Sequence, residues 1–404
     1  MPETPATPAT PATPATPDTP GAVQTALIGA ASLLIMMSGT TWPFVVAVLA
    51  PILREELGLS ASILGIAYGV YYLSGSLWST AAGRIVDRSG FRVAAAVLLA
   101  VAVVQHVMLA GARSSLLLIA SGAVGGLALA LTNPLTNSLI GAQLKGRAAR
   151  NVVGVKQTGV PLTAAFSGVV TPLAAAALGW RGAVLVTLVL SLLAALLLAG
   201  VRGRSGAGPI APVRTKLRQR FGIERYVLAM GIITSALNGY LVLFVVDTFD
   251  GSVQRAGTLV AAFAVSGAVG RITWSTLGGG DRTFPILRLL GTVGSVGLAA
   301  LAVVSFEWGI WLAVIALGLT VHAWQGLGMV AVIEADTSGT IGATSARVMR
   351  NFYVGFVIGA PIAGVLIDTV GFRAAWATLV VVAALAVVSV RGASSSSRMT
   401  TASS

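Results

Sequence analysis

The stretch GRIVDRSGFR, residues 83–92, separates two long apolar runs at 61–83 and 93–112. Each run has about the 20 residues that a helix needs to cross the ~30 Å of hydrocarbon in a bilayer. Gly90 permits a tight turn that few other residues tolerate, and Gly83 lets the end of the first run pack closely against a neighbour. The stretch therefore predicts a short charged turn between two membrane-spanning helices.

The composition of the whole chain is that of a membrane protein. Of the 404 residues, 56% are hydrophobic and 10% are charged, whereas a soluble domain has about 25% charged residues. The absence of cysteine excludes a disulfide framework, a thiolate zinc site and a thiol nucleophile. The net charge of +13 would indicate nucleic-acid binding only on a soluble fold with a basic face, so no nucleic-acid partner is predicted.

Twelve apolar stretches remain when the sequence is divided at charged and turn residues. The sequence thus predicts an all-α membrane protein of twelve transmembrane helices, arranged in two pseudo-symmetric bundles of six. The predicted spans of the first half are 23–50, 61–83, 93–112, 114–141, 151–176 and 180–200. Those of the second half are 226–247, 256–278, 284–305, 308–333, 348–369 and 372–390.

The distribution of Lys and Arg predicts the orientation in the membrane. With the N-terminus inside, most of the 26 Lys and Arg residues fall in cytoplasmic loops, where insertion concentrates them. The outside receives Arg54, Arg113, Arg181, Arg255 and Arg373. We therefore expect a multi-pass protein of the cytoplasmic, or inner, membrane with both termini in the cytoplasm.

Segments outside the spans define the domain organisation. Residues 1–22 are rich in Thr, Pro and Ala and predict a disordered cytoplasmic tail, and the Ser-rich residues 391–404 predict a second one. Residues 201–225 form a basic cytoplasmic linker between an N-terminal bundle at 23–200 and a C-terminal bundle at 226–390. The cations of the linker suit either a solvated segment or contact with anionic membrane lipid.

The two halves share an internal repeat. The pair RN at 150–151 recurs at 350–351, and GVP at 159–161 recurs as GAP at 359–361, both at a displacement of 200 residues. Duplicated halves with the same topology are an established transporter architecture, in which the solute is held near the midplane between the halves. The repeated glycines and prolines, with Gly168, predict close packing of the fifth span on the eighth and of the eleventh on the second.

The 83–92 stretch closely resembles the signature loop of the major facilitator superfamily, G-x-x-x-D-R-x-G-R-R, and departs from it only at Phe91. With the twelve spans and the repeated halves, the resemblance extends from about residue 22 to 391. In the family, the carboxylate at the position of Asp87 faces the start of the eleventh span, where a helix N-terminus favours an anion. The resemblance implies a conformational latch formed by Gly83, Asp87, Arg88, Gly90 and Arg92 with Arg347 and Arg350.

Two cations within the predicted spans are candidates for solute binding. Arg271 lies about mid-membrane in the eighth span and Lys156 lies in the fifth, and ionisable residues in spans are costly and commonly functional. In the resembled fold these spans face the cavity between the halves, so the cations suit an organic anion, for which Arg offers a bidentate fork. The structural alternatives are pairing of Arg271 with backbone carbonyls or Asp281, and snorkelling of Lys156 to the inner surface.

Polar and aromatic residues at similar depths complete the candidate binding set. They suit solute contacts, and they equally suit hydrogen bonds between helices. These residues are Gln157, Tyr68, Tyr72, Asn133, Asn137, Asn238, Tyr240, His322 and Gln325.

The leading hypothesis is a secondary active transporter of a small solute, with an organic anion such as a carboxylate as the favoured substrate. An efflux pump for a lipophilic drug or secondary metabolite and, more remotely, a non-transporting membrane sensor are the alternatives. The sequence has no Walker pattern and no paired carboxylates, His-rich set or Ser-His arrangement at a shared depth, so no enzyme activity, cofactor or metal site is predicted. We expect a monomer, with a proton as the candidate coupling ion.

Overall fold

The structure is a computed structural model that describes residues 21–201, 221–328 and 341–401. It describes their side chains as well, apart from those at 150, 221–222, 341–348 and 391–401. Within this part of the chain, every regular element is a helix. Nearly all of the predicted N-terminal tail and most of the predicted linker lie outside the described residues.

The first half forms long helices because its apolar runs contain few charges, and because a helix satisfies its own backbone hydrogen bonds where no water is available. Its helices are α1 (Ala22–Leu57), α2 (Ala61–Ala110), α3 (Ser115–Gln143), α4 (Gly146–Gln157), α5 (Gly159–Val186) and α6 (Val189–Gly200).

The second half contains α7 (Phe221–Phe249), α8 (Val253–Leu277), a 3₁₀ turn (Gly280–Arg282), α9 (Thr283–Val303), α10 (Glu307–Leu317), a π-helix (Gly318–His322) and α11 (Ile341–Thr401). The sequence did not predict the π-helix. Residues 391–401, for which the Ser-rich composition predicts disorder, continue α11 as helix. No proline follows Pro361, so nothing in that stretch removes a backbone donor.

Nine helical stretches of the described chain are long and apolar enough to cross a membrane. In this count the consecutive helices α4, α5 and α6 form one stretch (Gly146–Gly200), and α10 and the π-helix belong to another (Glu307–Gly328). Three of them break at a glycine: Gly90 (φ 75°, ψ 170°), Gly179 (φ 71°, ψ 166°) and Gly371 (φ 83°, ψ 172°). Such a positive φ is accessible to glycine and costly for other residues. Dividing the three stretches at these glycines gives the twelve predicted spans.

The pseudo-symmetry extends to the turns. Gly179 and Gly371 occupy the same place in the two halves, before the sixth span of each, and they adopt the same conformation. At the place that corresponds to Gly90, the second half has Gly279 and Gly280, both with positive φ. The two bundles are therefore related in their turns as well as in their helices.

The bundles meet along three helix pairs. The largely buried helices α1 and α7 pack in the middle, α2 packs on α11 along one flank, and α5 packs on α8 along the other. A methyl group added at Gly168 of α5 would overlap the carbonyl oxygen of Gly257 in α8, and one added at Gly364 of α11 would lie 2.6 Å from the carbonyl oxygen of Ala61 in α2. Small residues let the backbones approach this closely, and the predicted packing of these span pairs is confirmed.

The helices define two ends of the molecule. We call the end that contains the turn at 83–92 the loop end, and the end at which α2 begins the clamp end. Arg54 of α1 and Asp247 of α7 also lie at the clamp end. Since α8 follows α7 closely, it begins at the clamp end and runs toward the loop end.

Candidate functional site

A cavity of about 680 Å³ lies between the two bundles, and we call it the central cavity. It reaches Ser275 in the last turn of α8, so it extends toward the loop end. Its lining residues come from both halves. They are Met36, Thr40, Pro43, Phe44, Tyr71, Tyr72, Leu129, Thr132, Asn133, Gly154, Gln157, Thr158, Val160, Pro161, Thr234, Asn238, Ala268, Arg271, Ile272, Ser275, His322, Gln325, Gly326, Met349, Phe352, Tyr353 and Phe356.

Arg271 of α8 supplies a positive charge to the central cavity. Its Nε donates a hydrogen bond to the backbone oxygen of His322 at 3.1 Å. Its terminal guanidinium nitrogens have no hydrogen-bond partner among the residues that the structure describes, and no described lining residue is acidic. The guanidinium thus retains donors and a charge that a solute anion can use.

The π-helix explains why that backbone oxygen is available. An i→i+5 pattern disrupts the regular i→i+4 ladder and frees carbonyl groups, and such segments are frequent at functional sites. Besides the His322 oxygen, the Leu319 oxygen accepts a hydrogen bond from Nε1 of Trp274 at 2.7 Å. The π-helix therefore holds two side chains of α8, and His322 itself lines the cavity with 2% of its surface exposed.

Lys156 lies behind the cavity wall. Its side chain is fully buried, and its Nζ donates to the Thr136 Oγ1 at 2.9 Å, to the Asn133 Oδ1 at 3.4 Å and to Asn137. It neither lines the cavity nor reaches the surface by snorkelling, so in this conformation the two cations do not share one pocket. Its neighbour Gln157, the last residue of α4, lines the cavity instead.

The other predicted binding residues divide between the cavity and the helix contacts. Tyr72, Asn133, Asn238 and Gln325 line the central cavity together with Arg271, Gln157 and His322. Asn137, Tyr68 and Tyr240 do not, because their polar groups are used between helices. The Tyr68 hydroxyl donates to the Pro43 backbone oxygen, and the Tyr240 hydroxyl lies 2.7 Å from the Ala61 oxygen and 2.9 Å from the Ala360 oxygen.

Most of the aromatic lining was not predicted from the sequence. Phe352, Tyr353 and Phe356 of α11 line the α2–α11 flank of the cavity beside Tyr71 and Tyr72 of α2, and the ring centroids of Tyr72 and Phe356 are 4.4 Å apart. Aromatic residues within apolar spans are ordinary core residues, so their presence alone was no signal. The signal that the sequence does offer is the spacing of Phe352 and Phe356, which are four residues apart and therefore lie on one helix face.

At the clamp end, contacts between the bundles close the cavity. Arg54 pairs with Asp247 at 2.6 Å. The Asp368 carboxylate of α11 accepts hydrogen bonds from the backbone N–H of Ala61 at 2.9 Å and of Ser62 at 2.7 Å, and from the Ser62 hydroxyl. These backbone groups belong to the first turn of α2, where helix N–H groups lack partners and the helix dipole favours an anion. We call the contacts of Asp368 and Tyr240 with Ala61 and Ser62 the clamp.

At the loop end, the predicted latch residues whose side chains are described make no hydrogen bond or ion pair with one another. Asp87 and Arg88 are exposed, and Asp87 makes no hydrogen bond or ion pair with any described side chain. Arg92 donates to the backbone oxygen of Val201 at 3.0 Å. Arg350 is exposed, and the side chain of Arg347 lies outside the described residues. Gly83 precedes the turn, which Gly90 makes by leaving the helical conformation.

Comparisons with known proteins agree with this architecture. The sequence profile of the Major Facilitator Superfamily matches residues 30–349. No curated protein matches the sequence. Two solved structures of a bacterial homologue of the human lysosomal transporter Spinster are similar in fold, one inward-facing and occupied (TM-score 0.75, 15% identity, 92% of this chain and 96% of that one). The other is inward-facing and unoccupied (TM-score 0.73, 13% identity, 92% and 98%).

Proposed function

Because the chain belongs to the major facilitator superfamily and is a multi-pass membrane transporter, we propose that it carries a small organic anion, such as a carboxylate, by alternating access. The observation that supports this substrate class is the Arg271 guanidinium in the central cavity, fixed through Nε while its terminal nitrogens remain available. In a site of low polarity such a charge attracts an anion strongly and disfavours a cation.

The described lining offers no internal counter-charge. An unpaired buried charge is costly unless a partner of opposite sign joins it. An incoming carboxylate supplies that partner and accepts two parallel hydrogen bonds from the guanidinium. Gln325, Asn238 and Gln157 provide further amide groups around the same space.

Alternating access accounts for the difference between the two ends of the molecule. The clamp end is closed by hydrogen bonds and an ion pair, whereas the central cavity extends to the loop end. With the orientation that the Lys and Arg distribution favours, the loop end faces the cytoplasm and the cavity is inward-facing. In the opposite state, Asp87 binds at the start of α11 and closes the loop end.

Uptake of labelled monocarboxylates into proteoliposomes tests the substrate class. We expect Arg271→Gln to lower uptake at sub-saturating substrate by about tenfold or more, since a hydrogen bond to a charged group contributes about 1.5–3 kcal/mol. Arg113→Gln, which removes an exposed charge outside the cavity, is the matched control. If Arg271→Gln transports every carboxylate as well as the parent, the anion site is refuted.

The apolar side of the cavity favours a second candidate, efflux of a neutral lipophilic compound. Six aromatic residues line the cavity, and none of them requires a charged solute. In that case Arg271→Gln leaves transport of a neutral lipophilic dye unchanged, and no carboxylate competes with it. Repeating each assay with and without an imposed proton gradient tests proton coupling, which we include in the proposal.

A further inference from the structure

The two flanks of the central cavity differ in chemistry. On the α2–α11 flank, the rings of Tyr72 and Phe356 are 4.4 Å apart and those of Phe356 and Phe352 are 4.7 Å apart, so they form a continuous aromatic surface. Tyr71 extends it, with its ring centroid 5.0 Å from that of Tyr72. All four residues line the cavity. We call this surface the aromatic wall.

The α5–α8 flank carries the charge of the cavity. Arg271 and Ser275 of α8 line it, and Gln157 and Thr158 line it where α4 gives way to α5, beside the apolar residues Ala268, Ile272, Val160 and Pro161. The helix pairs α2–α11 and α5–α8 lie on either side of the central pair α1–α7. A solute in the cavity therefore has a charged anchor on one side and ring faces on the other.

From this arrangement we propose that the transported anion is an amphiphilic monoanion: one carboxylate, or a comparable single charge, on a body at least as large as an aromatic ring. The proposal rests on the proposed function, because it assumes that Arg271 binds the charge. The cavity of about 680 Å³ is in the size range of sites that enclose ligands much larger than acetate. A two-carbon acid would fill a small part of it and leave the aromatic wall in contact with water.

The charge count favours one negative charge over two. Arg271 is the one cation among the described lining residues, since Lys156 is held by Asn133, Thr136 and Asn137 behind the wall. A second carboxylate on the same solute would face the aromatic wall without a cationic partner among the described lining residues. Burying a charge in that way is unfavourable, so a dianion of similar size binds more weakly.

Equilibrium binding and proteoliposome uptake of four matched probes test the proposal. The probes are 3-phenylpropionate, acetate, the dianion phenylsuccinate and the neutral 3-phenylpropionamide. We expect 3-phenylpropionate to bind at least about tenfold more tightly than each of the others, because it alone satisfies both flanks of the cavity. Phe352→Leu should lower the ratio of 3-phenylpropionate to acetate uptake several-fold, and Trp308→Leu, at a residue 77% exposed and outside the cavity lining, should not.

The outcomes separate this proposal from the proposed function. If acetate and 3-phenylpropionate bind equally and Arg271→Gln abolishes the binding of both, the proposal of an amphiphilic solute is wrong. The proposed anion site at Arg271 is then still supported. Tighter binding of phenylsuccinate than of 3-phenylpropionate would contradict the proposal that the solute carries a single negative charge. Binding of the amide with none of the acids overturns both proposals. Phe352 is packed among other rings, so its substitution also affects stability. Tyr353→Ser, at a half-buried lining residue, therefore provides a second variant. The unfolding midpoint of each variant is measured before its binding and uptake.

Discussion

Lys156 and Arg271 are both cations inside predicted spans, yet their side chains end in different surroundings. The Lys156 ammonium has three side-chain oxygens as acceptors and no exposed surface. Among the described residues, the Arg271 guanidinium has one acceptor, a backbone oxygen, and it lines the cavity. The first therefore ties α4 to α3, and the second remains available to a solute.

The Thr136 hydroxyl tests the supporting role of Lys156. Thr136→Val keeps the shape of the side chain and removes one acceptor from a buried ammonium. We expect the free energy of unfolding to fall by about 1.5–3 kcal/mol, the usual contribution of a hydrogen bond to a charged group. The measurement is the thermal unfolding midpoint of the purified protein in detergent.

The control is Thr378→Val, at an exposed position where the hydroxyl bonds only to its own helix, at the Ala374 oxygen. An equal loss of stability in both variants would show that the buried ammonium gains nothing from Thr136.

Residue identity alone could not separate the two cations. Each is an ionisable side chain in an apolar run, and what distinguishes them is the direction in which each points. Neighbouring residues on a helix point about 100° apart, so Gln157 faces the cavity while Lys156 faces α3. The direction of such a side chain depends on how its helix is rotated about its own axis. The sequence does not determine that rotation, because spans that are apolar on every face have only a weak periodicity.

At the scale of the elements, the first turn of α2 depends on Asp368. Asp368→Asn removes the negative charge and leaves a single acceptor oxygen for three donors. We expect the clamp-end-closed state to lose about 1–2 kcal/mol, which raises the ratio of open to closed molecules at the clamp end by about five- to thirtyfold. Since the chain has no native cysteine, the maleimide labelling rate of Leu64→Cys, 1% exposed beneath the clamp, reports this change.

Asp250→Asn makes the same charge change at the same end of the molecule without touching α2, and it should leave the labelling rate unchanged. If both variants accelerate labelling equally, the effect arises from surface charge and the clamp has no part in it.

The elements show where sequence analysis succeeds and where it fails. Apolar length and the glycine turns suffice to predict every span, because a lipid environment allows little except helix. The π-helix at Gly318–His322 was not predicted, since its residues are those of an ordinary helix. Side chains of α8, a neighbour distant in sequence, donate hydrogen bonds to its Leu319 and His322 carbonyl oxygens, and local sequence does not indicate such contacts.

At the scale of the whole molecule, Asp87 and Asp368 oppose each other. Both lie on the α2–α11 pair, Asp87 near the loop end of α2 and Asp368 at the clamp end of α11. Asp87 makes no hydrogen bond or ion pair with any described side chain in this state, so we expect Asp87→Asn to weaken the opposite state. We expect it to slow labelling of Leu64→Cys several-fold, the reverse of the effect of Asp368→Asn.

The double variant should return the labelling rate toward that of the parent, because the two changes shift one equilibrium in opposite directions. Labelling of Ser275→Cys near the loop end should respond in the reverse sense. A shift of both single variants in the same direction would contradict the shared equilibrium.

The global architecture followed from the sequence, while its conformation did not. Twelve spans and two bundles follow from hydropathy and the repeat, and the family resemblance together with Gly168 predicts the packing of the fifth span on the eighth. Which end is closed depends on small differences between contacts such as those of Asp368 and Asp87. Each such contact contributes only about 1–2 kcal/mol, and a sequence pattern does not rank differences of that size.

The clamp has a kinetic consequence. Asp368 and Tyr240 come from different helices, yet both bind the first turn of α2: Asp368 at Ala61 and Ser62, and Tyr240 at Ala61. When the first turn of α2 moves away, these bonds break together rather than in succession, so opening meets one barrier in place of several low ones. While the clamp holds, the molecule stays closed at one end although the central cavity is open toward the other, so ions have no continuous path down their gradients without the solute.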